Sequence, residues 1–464
     1  FILFIIRGAM SYGEELWEIN EALNVFMHTG RFLESTDGLE NDFESITYLT
    51  KFNSKFNLDL KDVTAHQLPI SNGKLSGSLE DGVLKISEFR ATGVAMAALL
   101  AAGEIENVAT DEQKIKNLRL DFNTNDLKLF LDRANLVSNN QFLNQTNSIS
   151  TTLQVTEDQN VWNGSLRNKI GDLETRFTGS INYAGETVDA KDLNVEITYP
   201  SFQQFLKNVL LAKKINNSIE GAFEFKGLVN GNLQNLKLSD TDVQIGTSHL
   251  SLAGDIKNTS GQKSIDLKVK TPSFDVDRFI LNDFKNVLAE GPLGNTAFNF
   301  SLLDLWKIKL QLDAGQLLWH SKELKNASLK LNIQDKQLTL ENLTGVPSID
   351  GSALKATGTL SWAGVPHLKT NIDLSGLELG ANVLTGGKTS FGNGILTFSG
   401  DFSMMGQSPN EMRKNLSGSG KMNIENSLWV GSDIQKVPAL IAKTTKERAQ
   451  QHVFDTEMSR YLNS

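Results

Sequence analysis

A chain of 464 residues exceeds what one hydrophobic core usually holds, so several domains or a repeat array are expected. Its 54 acidic and 45 basic side chains give a net charge of −9, which repels phosphate backbones and argues against nucleic acid as a partner. Zero cysteines exclude disulfides, thiolate metal sites and a cysteine nucleophile, while 25 Phe against 8 Pro, with polar residues and Gly between short apolar runs, suit sheets with one wet face.

In chain order, Phe1 to Ile6 comes first, wholly apolar but too short to span a bilayer, which takes about 20 residues. It reads as a buried strand of a truncated chain, with the tail of an upstream membrane anchor as the alternative. Glu14 to Leu33 then carries Leu16, Ile19, Leu23, Phe26 and Met27 at a helical spacing. From there a repeat takes over. A small or hydroxyl residue, a Gly, a polar and an apolar residue recur at Ala102-Gly103-Glu104-Ile105, Thr178-Gly179-Ser180-Ile181, Ala253-Gly254-Asp255-Ile256 and Thr357-Gly358-Thr359-Leu360. The glycines lie 76, 75 and 104 residues apart and read as turns.

After each Gly an alternating strand is expected, beginning at Leu118, Leu193, Leu267 and Ile372 and leading to a short helix. Pro200-Ser201-Phe202 and Pro272-Ser273-Phe274 read as helix openings, and Gly376-Leu377 replaces them in the fourth copy. The stretched third interval implies an insertion near Ile308 to Lys336, with a hairpin turn at Gln334-Asp335-Lys336-Gln337. Ser417-Gly418-Ser419-Gly420 reads as a turn, and the segment after Pro438 as a closing helix.

Catalytic chemistry is not visible. The histidines His28, His66, His249, His320, His367 and His452 are scattered, with no pair at metal-ligand spacing, and no nucleophile elbow or Walker loop occurs. Of the acidic pairs, Glu14 with Glu15 and Asp275 with Asp277 come nearest to a glycosidase arrangement, but the latter suits a helix N-terminus. No enzyme, metal or cofactor is therefore expected. What remains is the apolar face of the strands: Leu118, Leu120 and Phe122; Val195 and Ile197; Leu267 and Val269; Phe298 and Phe300; Leu329, Leu331 and Ile333. These residues line either a groove or a closed core.

The stretches Leu75 to Glu104, Leu236 to Ile256 and Leu329 to Leu360 resemble the strand, turn, strand, Gly pattern of the AsmA family, which is related to TamB. Within Leu374 to Ile434, Leu377-Glu378-Leu379-Gly380, Gly392-Asn393-Gly394-Ile395-Leu396, Ser399-Gly400-Asp401-Phe402 and Leu416-Ser417-Gly418-Ser419-Gly420 follow the order of an AsmA-like C-terminal region. Ser427 stands where its closing motif usually has Gly.

The resemblance implies an elongated, repetitive, curved antiparallel sheet, a β-groove, with short helices at strand ends and a few capping helices. Together with the glycine interval and the helical spacing above, three regions are expected: a helical connector over 1–56, repeating units of about 75 residues over 57–370, and an AsmA-like C-terminal β region over 371–464 that ends in a helix. The resemblance further implies a periplasmic protein of a Gram-negative bacterium, anchored in the inner membrane by a segment absent from this chain. Such a protein conducts phospholipid, held by its acyl chains, towards the outer membrane and supports outer-membrane assembly, with outer-membrane or periplasmic partners. A structural or adhesive β-solenoid with a closed core and a secreted carbohydrate-active enzyme are the competing readings.

Overall fold

The computed structural model describes residues 53–426, except 66–67, 95, 108–113, 134–145, 159–160, 185–186, 210–219, 233, 260–261, 280–286, 288–290, 302, 305, 320–321, 348–350 and 380–393. The Phe1–Ile6 run and the helices expected over Glu14–Leu33 and after Pro438 lie outside the described residues. The fold is mostly β, with few short helices, and forms two compact units, Phe1–Asn258 and Thr259–Ser464.

In unit 1 the strands are β1 (Ser54–Ala65), β2 (Leu68–Glu80), β3 (Val83–Val94), β4 (Ala97–Glu106), β5 (Lys114–Thr124) and β6 (Ile149–Asp158). They continue as β7 (Val161–Ile170), β8 (Leu173–Ala184), β9 (Thr187–Tyr199), β10 (Phe223–Asn232), β11 (Asn235–Ile245) and β12 (Ser248–Thr259). Each pairs antiparallel with the next, so the unit is a meander. Among the described residues no pairing joins β1 to β12, and the sheet is open. Two-residue turns set the register where the sequence supplies left-handed backbone, as at Asp81-Gly82 (φ 49° and 76°) between β2 and β3.

Gly103, Gly179 and Gly254 lie inside β4, β8 and β12, and not in turns as the sequence pattern led us to expect. The reason is the neighbouring backbone. A Cβ at position 103 would sit 3.0 Å from Leu118 Cα, and one at position 179 would sit 2.7 Å from the Asp192 carbonyl oxygen. Opposite these two glycines the next strand carries an extra residue in left-handed conformation, Asn117 (φ 50°) and Asp192 (φ 49°). At these two copies the repeat is thus a β-bulge, built from an Asn or Asp that tolerates positive φ and a Gly that lets the strands close up around it; Gly358 instead faces a regular pairing with Thr370.

Helices follow β5 and β9. α1 (Leu127–Arg133) sets Phe130 against Phe122, ring centroids 4.9 Å apart. α2 (Phe202–Gln204) opens at Pro200-Ser201 as expected, the Ser201 hydroxyl accepting from Gln204 N, and runs on into a π turn (Phe205–Val209). Because β5 and β9 are four strands apart they run the same way, so both helices cap the same strand end.

Unit 2 holds β13 (Gln262–Asp275), β14 (Lys307–Trp319), β15 (Lys322–Gln334), β16 (Gln337–Val346), β17 (Ala353–Ser361), β18 (His367–Leu379), β19 (Gly394–Met405) and β20 (Ser417–Glu425). Consecutive strands pair antiparallel, except that β13 and β14 are parallel. β14 together with the chain leading to it is the insertion that stretches the third interval. Gly358, the fourth repeat glycine, likewise lies inside a strand, β17.

Three further expectations are corrected in unit 2. Pro272-Ser273-Phe274 does not open a helix; β13 continues through it, and α3 (Val276–Phe279) begins after Asp275, whose Oδ1 accepts from Asp277 N. Ser417-Gly418-Ser419-Gly420 is not a turn but the first half of β20, where the glycines leave room for the rings of Phe402 and Phe398 on β19. Phe298 and Phe300 are not on a strand; they belong to an irregular segment before β14. The Asp335-Lys336 turn forms as expected, with φ 51° and 59°. The boundary expected at 370/371 falls within β18.

Candidate functional site

Register converts the alternation of single strands into continuous rows. In unit 1, Leu58, Leu75, Phe89, Ala101, Leu120, Leu153, Leu166, Phe177, Val195 and Gly227 are successive partners from β1 to β10, with no polar or charged side chain among them. The opposite face is wet. Its partners from β5 to β11 are Asp121, Thr152, Arg167, Arg176, Glu196, Lys226 and Asp242.

Ion pairs on this polar side hold neighbouring strands together without burying charge. Lys85 meets Glu104 at 2.8 Å, which raises the Lys85 pKa, and Lys74 meets Glu88 at 2.9 Å, which lowers that of Glu88. Lys169 meets Glu174 at 2.6 Å; the hydrogen bond and the opposite charge raise the lysine's pKa and lower the glutamate's.

Unit 2 repeats the apolar rows. Ile265, Ile308, Ile333, Leu338, Leu360, Leu368 and Met404 are successive partners, and beside them run Leu267, Leu310, Leu331 and Leu340. A depression of about 780 Å³ lies over the polar residues of β16–β20, lined by Thr339, Lys369, Asn371, Asp401 and Ser419 among others. A smaller one of about 370 Å³ lies over the polar residues of β6–β9.

The residues singled out from the sequence separate into two groups by burial. Phe122, Val195, Leu267, Val269, Phe300 and Ile333 are buried. Leu118, Leu120, Ile197, Phe298, Leu329 and Leu331 are only half-buried. Two of the buried positions have a visible cover: Phe122 sits against Phe130 of α1, and Phe300 stacks at 4.8 Å on Trp362, whose indole N–H donates to Asp304 at 2.6 Å. Val195 pairs with Gly227, four residues along the strand from Tyr199, which belongs to an aromatic cap with Phe202, Phe205 and Phe223. The middle of the face, at Leu120, Leu153, Leu166 and Phe177, keeps partial access to solvent.

Of the apolar row of unit 1, sequence reasoning named only Leu120 and Val195; it missed Leu58, Leu75, Phe89, Ala101, Leu153, Leu166 and Phe177, because which residue of one strand meets which of the next is set by register. The aromatic caps were also missed; only the spacing of Phe202 and Phe205 behind Ser201 signals one of them.

Among the described residues no three His, Cys, Asp or Glu side chains come together as a metal site. His249 is exposed, and His367 shares a hydrogen bond with Ser403 at 2.8 Å. Asp275 is engaged with Arg278 at 3.1 Å as well as with the Asp277 amide, a helix-start arrangement. Among the described residues, no helix is long and apolar enough to cross a membrane. Comparison with models of known protein families, with curated proteins and with solved structures returns no match.

Proposed function

We propose that this chain is a non-enzymatic envelope protein of the AsmA type, which binds phospholipid by its acyl chains along the apolar face and conducts it between the inner and outer membranes. The observation that carries this reading is the in-register apolar row from Leu58 to Gly227, half-buried over its middle strands and uninterrupted by polar side chains. Hydrocarbon is held by area and not by directed bonds: each methylene removed from water contributes about 0.8 kcal/mol, so a whole acyl chain is retained without one essential contact. Transfer then needs continuity of the surface, which register supplies, and head groups stay hydrated beside it. The periplasmic location, the inner-membrane anchor upstream and the role in outer-membrane assembly belong to this same proposal.

A sealed structural array is the second reading, favoured by one observation: at β13 and β14 the face is closed, with Ile265, Leu267 and Ile308 at 1–2% exposure. The two readings part at Leu120 and Leu166. The full chain, purified without detergent from a bacterial envelope, is expected to carry phospholipid detectable by mass spectrometry. Leu120→Asp and Leu166→Asp are expected to lose that lipid while keeping the wild-type circular dichroism. Wild-type protein free of lipid, or variants that unfold, would overturn the proposal in favour of the sealed core.

A further inference from the structure

The strand ends of unit 2 are not alike. At one of them, register aligns the start of β13 and β14, the β15–β16 turn, the β17–β18 turn and the β19–β20 connection. Four large apolar side chains stand out from these segments: Leu293 at 54% exposure, Val365 at 50%, Met405 at 46% and Leu416 at 51%.

Backbone bonds tie their loops together. Asn410 N donates to Gly294 O at 2.9 Å, Gly406 N to Pro366 O at 3.0 Å, and Phe298 N to Gln407 O at 2.9 Å. The hub is α4 (Pro409–Lys414), started by Ser408, whose hydroxyl accepts from Glu411 N, and by Glu411, whose carboxylate accepts from Gln407 N at 2.8 Å. Loops held this firmly lose little freedom when a surface covers them.

Among the described residues the charge around these tips is opposite to that of the whole chain: Lys263, Lys307, Lys336, Arg413 and Lys414 lie at this end, against Asp304, Asp335 and Glu411. Asp304 and Glu411 accept from Trp362 and Gln407, and Arg413 donates to Asn410 while Lys263 lies over the Trp306 ring; none of these contacts cancels a charge, and the surplus at this end is positive. A basic end on a protein of net charge −9 is a local feature, and single apolar tips among cations are what an anionic lipid–water interface accommodates. A protein partner's pocket would call instead for one contiguous anchor patch.

We propose that this end of unit 2 docks on the surface of an anionic phospholipid bilayer, with Leu293, Val365, Met405 and Leu416 entering the interface and Arg413 and Lys414 beside the phosphates. This goes beyond the acyl-chain reading and does not depend on it.

The test is flotation of the full chain with phosphatidylcholine vesicles, with and without about a third of phosphatidylglycerol. Wild type is expected to float with the anionic vesicles only. V365D/M405D/L416D should lose binding about a hundred-fold, at roughly five-fold or more per buried tip. Lys414→Glu, at an exposed site where folding is not at stake, should lose well over five-fold, since it reverses one charge where removing it alone is worth about five-fold. Trp319→Asp, exposed at the opposite strand end, should float as wild type. Failure of wild type to float, equal flotation on neutral vesicles, or an unchanged Lys414→Glu variant would overturn the proposal. Leu166→Asp separates the two ideas, since it should abolish carried lipid while leaving flotation intact.

Discussion

Truncating two leucines of one row in unit 2 separates a sealed core from an accessible face. Leu267 and Leu331 are both joined to Leu310, one on each side of it, yet Leu267 is 1% exposed and Leu331 is half-buried. Leu267→Ala removes the transfer free energy of a full side chain and leaves a cavity that β13 and β14 cannot close, a cost of about 3 kcal/mol or more. Leu331→Ala gives up part of that area and leaves no enclosed void, so about 1 kcal/mol is expected. Global unfolding of a chain with two compact units is not a two-state event, so the readout must be local. Amide hydrogen exchange on peptides covering 262–334 supplies it: about 3 kcal/mol accelerates exchange of the protected strands by a hundred-fold or more, and about 1 kcal/mol by roughly five-fold. Equal acceleration by the two variants would refute the reasoning, because it would place Leu331 in a closed core.

Other consequences follow from the glycines and the polar face. Gly164→Ala brings a Cβ to 2.0 Å from the Gln154 carbonyl oxygen and 2.9 Å from Val155 Cα, both backbone atoms, so β6 and β7 must separate and about 2–3 kcal/mol is lost; Gly364→Ala, with nothing within 4 Å, should stay within about 0.5 kcal/mol in the same exchange assay. Because its partner Lys169 depresses the Glu174 pKa, the pair stabilises the β7–β8 hairpin above the usual glutamate range and loses that contribution as pH falls through the depressed value. Carboxyl titration by NMR should show the shift, and Lys169→Met or high salt should remove most of it, since both groups are exposed.

The β character, the interval of about 75 residues and the Asp335-Lys336 turn are legible because alternation and turn chemistry are local properties of the chain. Gly103 and Gly179 were legible as part of a repeat but not as partners of a bulge. Gly179 and Asp192 lie on neighbouring strands, thirteen positions apart in the sequence, and only pairing reveals that one makes room for the other. The same limit applies to the candidate face. Composition marks Leu118, Leu120 and Phe122 alike, and what distinguishes them is α1, whose Phe130 lies against Phe122. Phe298 and Phe300 have the spacing of a strand, but the segment instead packs Phe300 on Trp362, a residue 62 positions away in sequence. The row as a whole is a property of registers, each fixed by its own turns and bulges.

The parallel pairing of β13 with β14 has an arithmetic consequence. A meander reverses direction at every strand, so blocks of four return the chain to its starting polarity, while a single added strand would reverse every strand after it. Setting β14 parallel to β13 absorbs the odd strand: β14 takes over the direction of β13, and β18, four strands on, again shares it. Modules can therefore be spliced into this architecture in fours, or in fours plus one parallel step, without scrambling its sides. Each block of four lengthens the sheet by about 19 Å in the hydrogen-bonding direction. Reach becomes a quantity that duplication can adjust in fixed increments.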